Sequence, residues 1–197
     1  MLYLWVSPED WSDKNTALYS NDNSTNRFIF LNGERLPFEI ESRKLFYDAK
    51  VPQKNLLSYD YIVNTGYFPL VSLKVADLLN DLVPDEVQFV ETEIRCKDGI
   101  LTNYKGLNVT HKIKGIDRKN SIYTTSTVKE EYISGIKYLT CLPGCMGKYS
   151  IARDEDYSTN LMVTEKIKLA FENAKITKGI NLVTPEDYFG LYSPNQK

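Results

Sequence analysis

Residues 59–117 constrain the fold more than any other stretch, because they set one amphipathic helix between runs that favour strands. Val75, Leu78, Leu79 and Leu82 recur at i, i+3, i+4 and i+7, which lines one helical face, and Ser72 stands where an N-cap belongs. Pro84 ends that helix. Residues 59–63 before it are aromatic and β-branched, and residues 87–95 and 107–117 after it read as strands. One apolar helix face among strands predicts a helix lying on a sheet.

A second helix is predicted over residues 165–175, where Ile167, Ala170, Phe171 and Ala174 repeat the same spacing. Thr164 is its expected cap and Gly179 its expected C′ residue. Glu165 suits the positive end of the helix dipole, Lys175 and Lys178 the negative end, and Lys168 and Glu172 are spaced to pair. Residues 2–6, 27–31 and 149–153 predict further strands, and 161–163 is a short apolar run. Asn32-Gly33 predicts a type I′ turn returning into residues 36–40, with Pro37 marking an edge. Residues 7–26 read as a polar loop with a helical turn after Pro8, and residues 128–135 as either a short helix or a strand. The tail over 184–192 is aromatic enough to dock on the body. The expected class is α+β: a mostly antiparallel sheet with two main amphipathic helices packed on it. Residues 1–197 read as one domain, with residues 1–58 as an N-terminal subdomain in the alternative.

Charge and cysteine usage exclude several roles. Lys and Arg number 24 against 26 Asp and Glu, so the basic excess of a nucleic-acid binder is missing. No run approaches the roughly 18–20 apolar residues that span a bilayer. Residues 1–6 lack the basic flank and length of a signal peptide, so the expected location is cytoplasmic, without a membrane partner. The 3 cysteines, Cys96, Cys141 and Cys145, are odd in number and read as reduced thiols. Cys141 and Cys145 do not have C-x-x-C spacing, and no second pair completes a metal site.

His111 is the 1 histidine, in an alternating strand-like run with Val109 and Ile113, and no serine lies in a G-x-S-x-G elbow. No phosphate-cradling glycine motif occurs. Glu91 and Glu93 share a strand face, a pattern more typical of a solvated edge than of an acid–base pair. No catalytic, cofactor-binding or metal-binding residue is therefore assigned. A binding protein is the expected class, and the 14 tyrosines agree with it. The candidate partner-binding residues are Asp154, Glu155 and Asp156, read as an acidic turn, with Tyr157 beside them as an aromatic anchor. Trp11, on the polar loop, joins them. The alternatives are a small carboxylate-dependent hydrolase or transferase, and an adaptor of a secretion apparatus.

An ordered set of segments carries a family resemblance. It comprises residues 3–10 (YLWVSPED), Phe68-Pro-Leu-Val-Ser leading into Val75-Ala-Asp-Leu-Leu, and residues 87–94 (VQFVETEI). Then follow residues 104–109 (YKGLNV), Ile116-Asp117 with Ser121, a strand ending in Arg153, residues 163–168 (VTEKIK) and a closing Gly179. In this the chain resembles immunity protein family eleven of bacterial polymorphic toxin systems, a former domain of unknown function, over residues 59–182 with an echo at the start. The resemblance implies a protein encoded beside a secreted toxin that neutralises it by binding, with no catalytic residues and no cofactor. With no export signal, the toxin's target is expected in the cytosol, which favours a nuclease, an NAD-consuming enzyme or similar over a wall hydrolase. Asp117, Ser121 and Arg153 match recurrent family positions, and are expected to support the fold.

Overall fold

The computed structural model describes residues 1–21, 25–127 and 132–188. In chain order its first elements are β1 (Leu2–Val6), β2 (Leu18–Tyr19), α1 (Phe38–Glu41), β3 (Leu45–Asp48), β4 (Tyr61–Ile62) and β5 (Leu70–Ser72). Then come α2 (Leu73–Leu82), β6 (Val87–Cys96), β7 (Gly99–Leu101), β8 (Tyr104–Val109) and β9 (Lys112–Ile113). The last are β10 (Ile122–Thr125), β11 (Ile133–Tyr138), β12 (Ile151–Asp154), β13 (Leu161–Thr164), α3 (Glu165–Asn173) and β14 (Asn181–Val183). The molecule is mixed α and β and rich in sheet. A 7-stranded sheet runs β2-β3-β6-β8-β5-β4, with β7 also pairing β6. A 5-stranded sheet runs β14-β1-β13-β12-β9, and β10 and β11 form a third sheet of 2 strands. Among the described strand pairs, only β3–β6 and β9–β12 are parallel.

Strand alternation gives the larger sheet two covered faces. Val87, Leu107, Val109 and Val71 point into one cluster, while Val90, Ile94, Tyr104 and Leu70 point into another. The first cluster lies where the two large sheets meet α2 and α3: Tyr3, Trp5, Ile151, Leu161 and Val163 enter it from the smaller sheet. Val75, Ala76 and Leu79 of α2, and Ile167 and Phe171 of α3, complete it. The predicted helices are thus present, although Leu78 is only half-buried against this core. Ser72 caps α2 as expected, its Oγ accepting from the Val75 N–H. Thr164 occupies the cap position of α3 without a capping hydrogen bond.

The C-terminus of α3 differs from expectation. Lys175, not Gly179, takes the left-handed position, with φ 53°. The Ile176 N–H donates to Phe171 O and the Lys175 N–H to Glu172 O, the paired bonds of a Schellman ending, with Ile176 packed in the same core as Phe171. Gly179 serves another purpose: at φ 85° a Cβ would lie 2.1 Å from Tyr61 O. The close approach lets Asp60 accept from the Thr177 and Lys178 N–H groups at 3.0 Å each.

The expected hairpin over residues 27–40 is not formed. Arg27–Leu31 is a 3₁₀ helix, because Asn26 accepts from the Phe28 N–H and starts a helical turn. Asn32 sits at φ −71°, so the Asn-Gly pair cannot be a type I′ turn. Leu36 finds its partner in a side chain instead of a ladder: its N–H donates to Gln88 Oε1 at 2.6 Å and its carbonyl accepts from Gln88 Nε2 at 3.2 Å. Pro37 then precedes the short α1. The run over 107–117 also splits: the Thr110 N–H donates to Glu86 O and the Arg153 N–H to His111 O, so the chain leaves one sheet and enters the other there. Residues 128–131 of the ambiguous run lie outside the described residues, and its end joins β11. Tyr188 docks in the third core cluster with Leu4, Ile113 and Met162, and the tail from residue 189 lies outside the described residues.

Candidate partner-binding site around Arg153

Among the described residues, Arg153 is the largest fully buried side chain, and it carries a charge. It pairs with Leu161 of β13 on one side and Lys112 of β9 on the other, so its backbone is fixed in the middle of the smaller sheet. Alternation puts it on the same face as Ile151, toward the main core, and it is 1% exposed. Nη1 donates to Ser158 O at 2.9 Å. Nε and Nη2 have no partner, and no carboxylate pairs with the group among the described residues. Burial pushes its pKa down to about 10. An ion held in the interior without a counter-charge costs several kcal/mol as a rough scale, so its presence asks for a reason.

Arg153 lines a cavity of about 190 Å³ at the junction of the two large sheets. Trp5, Val6 and Ser7 close it from the end of β1; Asn64, Tyr67, Phe68 and Pro69 from the β4–β5 connection; Tyr157, Thr159 and Asn160 from the β12–β13 connection. Tyr61, Val63, Leu161 and Tyr188 complete the described lining, which includes no Asp or Glu. Trp5 Nε1 and Asn160 Nδ2 are buried donors without a partner, like the two free Arg153 nitrogens. The three residues that carry these four nitrogens, Trp5, Arg153 and Asn160, all line this one cavity.

At the rim, Tyr67 is 51% exposed and holds φ 65°, a strained backbone for a bulky residue. The surrounding bonds over-determine it. Asn64 donates to the Ile62 and Phe68 carbonyls and accepts from the Gly66 N–H, and the Thr65 N–H donates to Ala17 O. Phe28, 54% exposed, stacks on the Tyr67 ring, and the Arg27 guanidinium lies 5.1 Å and 4.8 Å from the two ring centres. Arg27 Nη1 is anchored by Thr65 O at 2.6 Å. Two exposed aromatic rings, one on the 3₁₀ turn and one on the strained β4–β5 connection, thus lie under an arginine beside the cavity.

The sequence model of the immunity protein family (Imm11) matches residues 5–184. The chain belongs to the Imm11 immunity protein family. The match starts at Trp5 and takes in every described cavity residue except Tyr188. No curated protein matches the chain in sequence. Family membership makes toxin immunity the general role of this Imm11 chain. Among its described residues, no helix is long and apolar enough to cross a membrane.

The structure scatters the residues singled out from the sequence. Asp154 is not a solvated turn residue: it ends β12, is 0% exposed, and accepts four backbone N–H groups. Those donors are Gly115 and Ile116 at 3.0 Å each, Asp156 at 2.8 Å and Tyr157 at 2.9 Å. Burial raises its pKa against the pull of those bonds. Asp156 is held by Arg118, whose Nε and Nη2 grip its two carboxylate oxygens at 2.9 Å and 2.7 Å. Glu155 is exposed, and Tyr157 lines the Arg153 cavity. Trp11 lies elsewhere: it packs on Tyr59 with ring centres 4.7 Å apart, and its Nε1 donates to Thr16 Oγ1 at 3.1 Å.

The other candidates have structural partners. His111 stacks on Tyr149, Glu91 pairs with Lys105 and Glu93 with Lys44. Asp117 caps the turn at Lys119 and Asn120, and Ser121 exchanges bonds with Thr140, so both support the fold as the resemblance implied. The three cysteines are free, and burial lifts the Cys141 thiol to about 12. Arg27, Phe28 and Tyr67 carried no signal that sequence reading used. Arg153 did carry one, since it interrupts the apolar face begun by Ile151.

Proposed function

We propose that this Imm11 protein binds a cognate toxin and neutralises it stoichiometrically, without turning over a substrate of its own, in the cytoplasm of the cell that makes both. The family match is the observation that carries this reading. The Arg27–Phe28–Tyr67 platform supports it, because arginine and aromatic side chains dominate the energetic centres of protein interfaces. The interface proposed here centres on that platform and the cavity mouth, and includes Tyr157, with Glu155 and Asp156 as rim charges. Trp11 sits outside this centre and would contribute only if the toxin extends to the β1–β2 loop. Asp154 faces inward and supports the turn that presents the others.

The test is to mix the purified chain with the toxin domain encoded beside it. A one-to-one complex should form, and toxin activity should fall in proportion to the immunity protein added. Phe28→Ala with Tyr67→Ala should weaken that complex while leaving thermal stability near that of the wild type. No complex at micromolar concentrations, with no protection of cells expressing the toxin, would overturn the reading.

A further inference from the structure

We infer that the Arg153 cavity is a carboxylate subsite, filled on docking by an acidic side chain of the bound toxin; the inference rests on the toxin-binding reading above. Geometry supports it first. The two unpaired nitrogens of Arg153, Nε and Nη2, form one edge of the guanidinium, the side-on fork that matches the two oxygens of a carboxylate. The remaining side is already engaged, with Nη1 on Ser158 O. The same chain shows what that edge does when a carboxylate is available: Arg118 holds Asp156 through its Nε and Nη2. Arg153 has the fork and lacks the acid.

The surroundings select the same chemistry. Trp5 and Asn160, whose Nε1 and Nδ2 also have no protein acceptor, line the same cavity, so an acceptor-bearing ligand suits it. The lining offers no competing Asp or Glu among its described residues. Trp5, Phe68, Pro69 and Leu161 supply apolar walls, and an acid that fills the opening would displace water and strengthen the charged pair it forms. The cavity adjoins the Tyr67 platform, so a toxin segment lying on Phe28 and Tyr67 would carry its acidic residue into the opening.

The experiment uses the intact chain and three forms: wild type, Arg153→Met and Arg153→Lys. Sodium acetate is the probe for a free carboxylate, with sodium chloride at matched ionic strength as control, and the indole N–H resonance of Trp5 is the readout. Arg153→Met removes an unpaired buried charge, so it should melt at or above the wild-type temperature. Acetate should shift the Trp5 resonance saturably in the wild type and not in Arg153→Met. The complex with the neighbouring toxin should weaken by about 30-fold or more in Arg153→Met, the usual loss on removing one partner of a desolvated charge pair. Arg153→Lys should also weaken it, since a point charge cannot replace the fork.

Wild-type toxin affinity in Arg153→Met overturns the inference and leaves the immunity reading standing. If the wild type forms no toxin complex at all, the immunity reading fails by itself, and so does a toxin-borne occupant. In that case an Arg153-dependent acetate shift supports the carboxylate subsite with a small acid as its ligand. Absence of any shift identifies a water-filled cavity and overturns the subsite.

Discussion

Asp154→Ala should be among the most damaging single substitutions in this protein, although the residue sits in a cluster that reads as surface acid. Its carboxylate accepts from the Gly115, Ile116, Asp156 and Tyr157 N–H groups, at 2.8–3.0 Å. Hydrogen bonds to a charged group contribute roughly 1.5–3 kcal/mol each, so the gross loss is several times that. Two effects reduce it: the carboxylate no longer has to be desolvated, and water can enter to meet part of the orphaned backbone. A net loss of about 3–5 kcal/mol remains. For a chain of this size that lowers Tm by roughly 10 °C, at about 2–4 °C per kcal/mol. Urea titration followed by far-UV circular dichroism measures the loss. The control is Asp156→Ala, which removes only the partly exposed pair with Arg118 and should stay within about 1 kcal/mol of wild type. If Asp154→Ala also stays within about 1 kcal/mol, the four-donor nest is not holding the β12–β13 connection and the argument fails.

Two further outcomes follow from burial. Leu79→Ala should cost about 2–5 kcal/mol because Leu79 is fully enclosed, while Leu78→Ala, at a half-buried position, should cost distinctly less; equal losses in denaturant titration would contradict the observed face of α2. Burial keeps the Cys141 thiol protonated far above neutral pH, its pKa lying at about 12, so a thiolate-specific disulfide reagent at pH 8 should modify it only after unfolding; rapid labelling of the native protein would contradict that burial.

The two principal helices were legible because each is a local pattern, a cap-type residue followed by a continuous apolar face, even though Thr164 makes no capping bond. Ser72 and the spacing from Val75 to Leu82 located α2, and Ile167 and Phe171 located α3. What failed depends on contacts far along the chain. No window around Leu36 shows that Gln88, 52 residues on, will satisfy both its backbone groups and remove the need for a hairpin partner. The acidic run failed for the same reason. Glu155 and Asp156 behave as a turn should, but Asp154 is drawn inward by the N–H groups of Gly115 and Ile116, 39 and 38 residues away. The end of α3 failed more subtly. Glycine is the favoured left-handed residue, yet Lys175 takes that role because Ile176 must return to Phe171, leaving Gly179 for the approach to Tyr61.

The cavity was hidden from sequence because its cost and its opportunity come from different segments. A strained Tyr67, an unpaired Arg153 and orphaned donors on Trp5 and Asn160 would each be removable in isolation. A glycine at position 67 would relieve the backbone, and an aliphatic residue at 153 would extend the face begun by Ile151 and avoid burying a charge. All of these residues lie around one opening, where the β4–β5 and β12–β13 connections meet the end of β1. Departures from local stability that converge on one surface opening are what the proposed toxin interface requires, since the partner would supply the acceptors that the fold withholds. The stability lost in the free chain then returns as binding energy in the complex, and relieving the strain with Tyr67→Gly should stabilise the free protein while weakening its hold on the toxin.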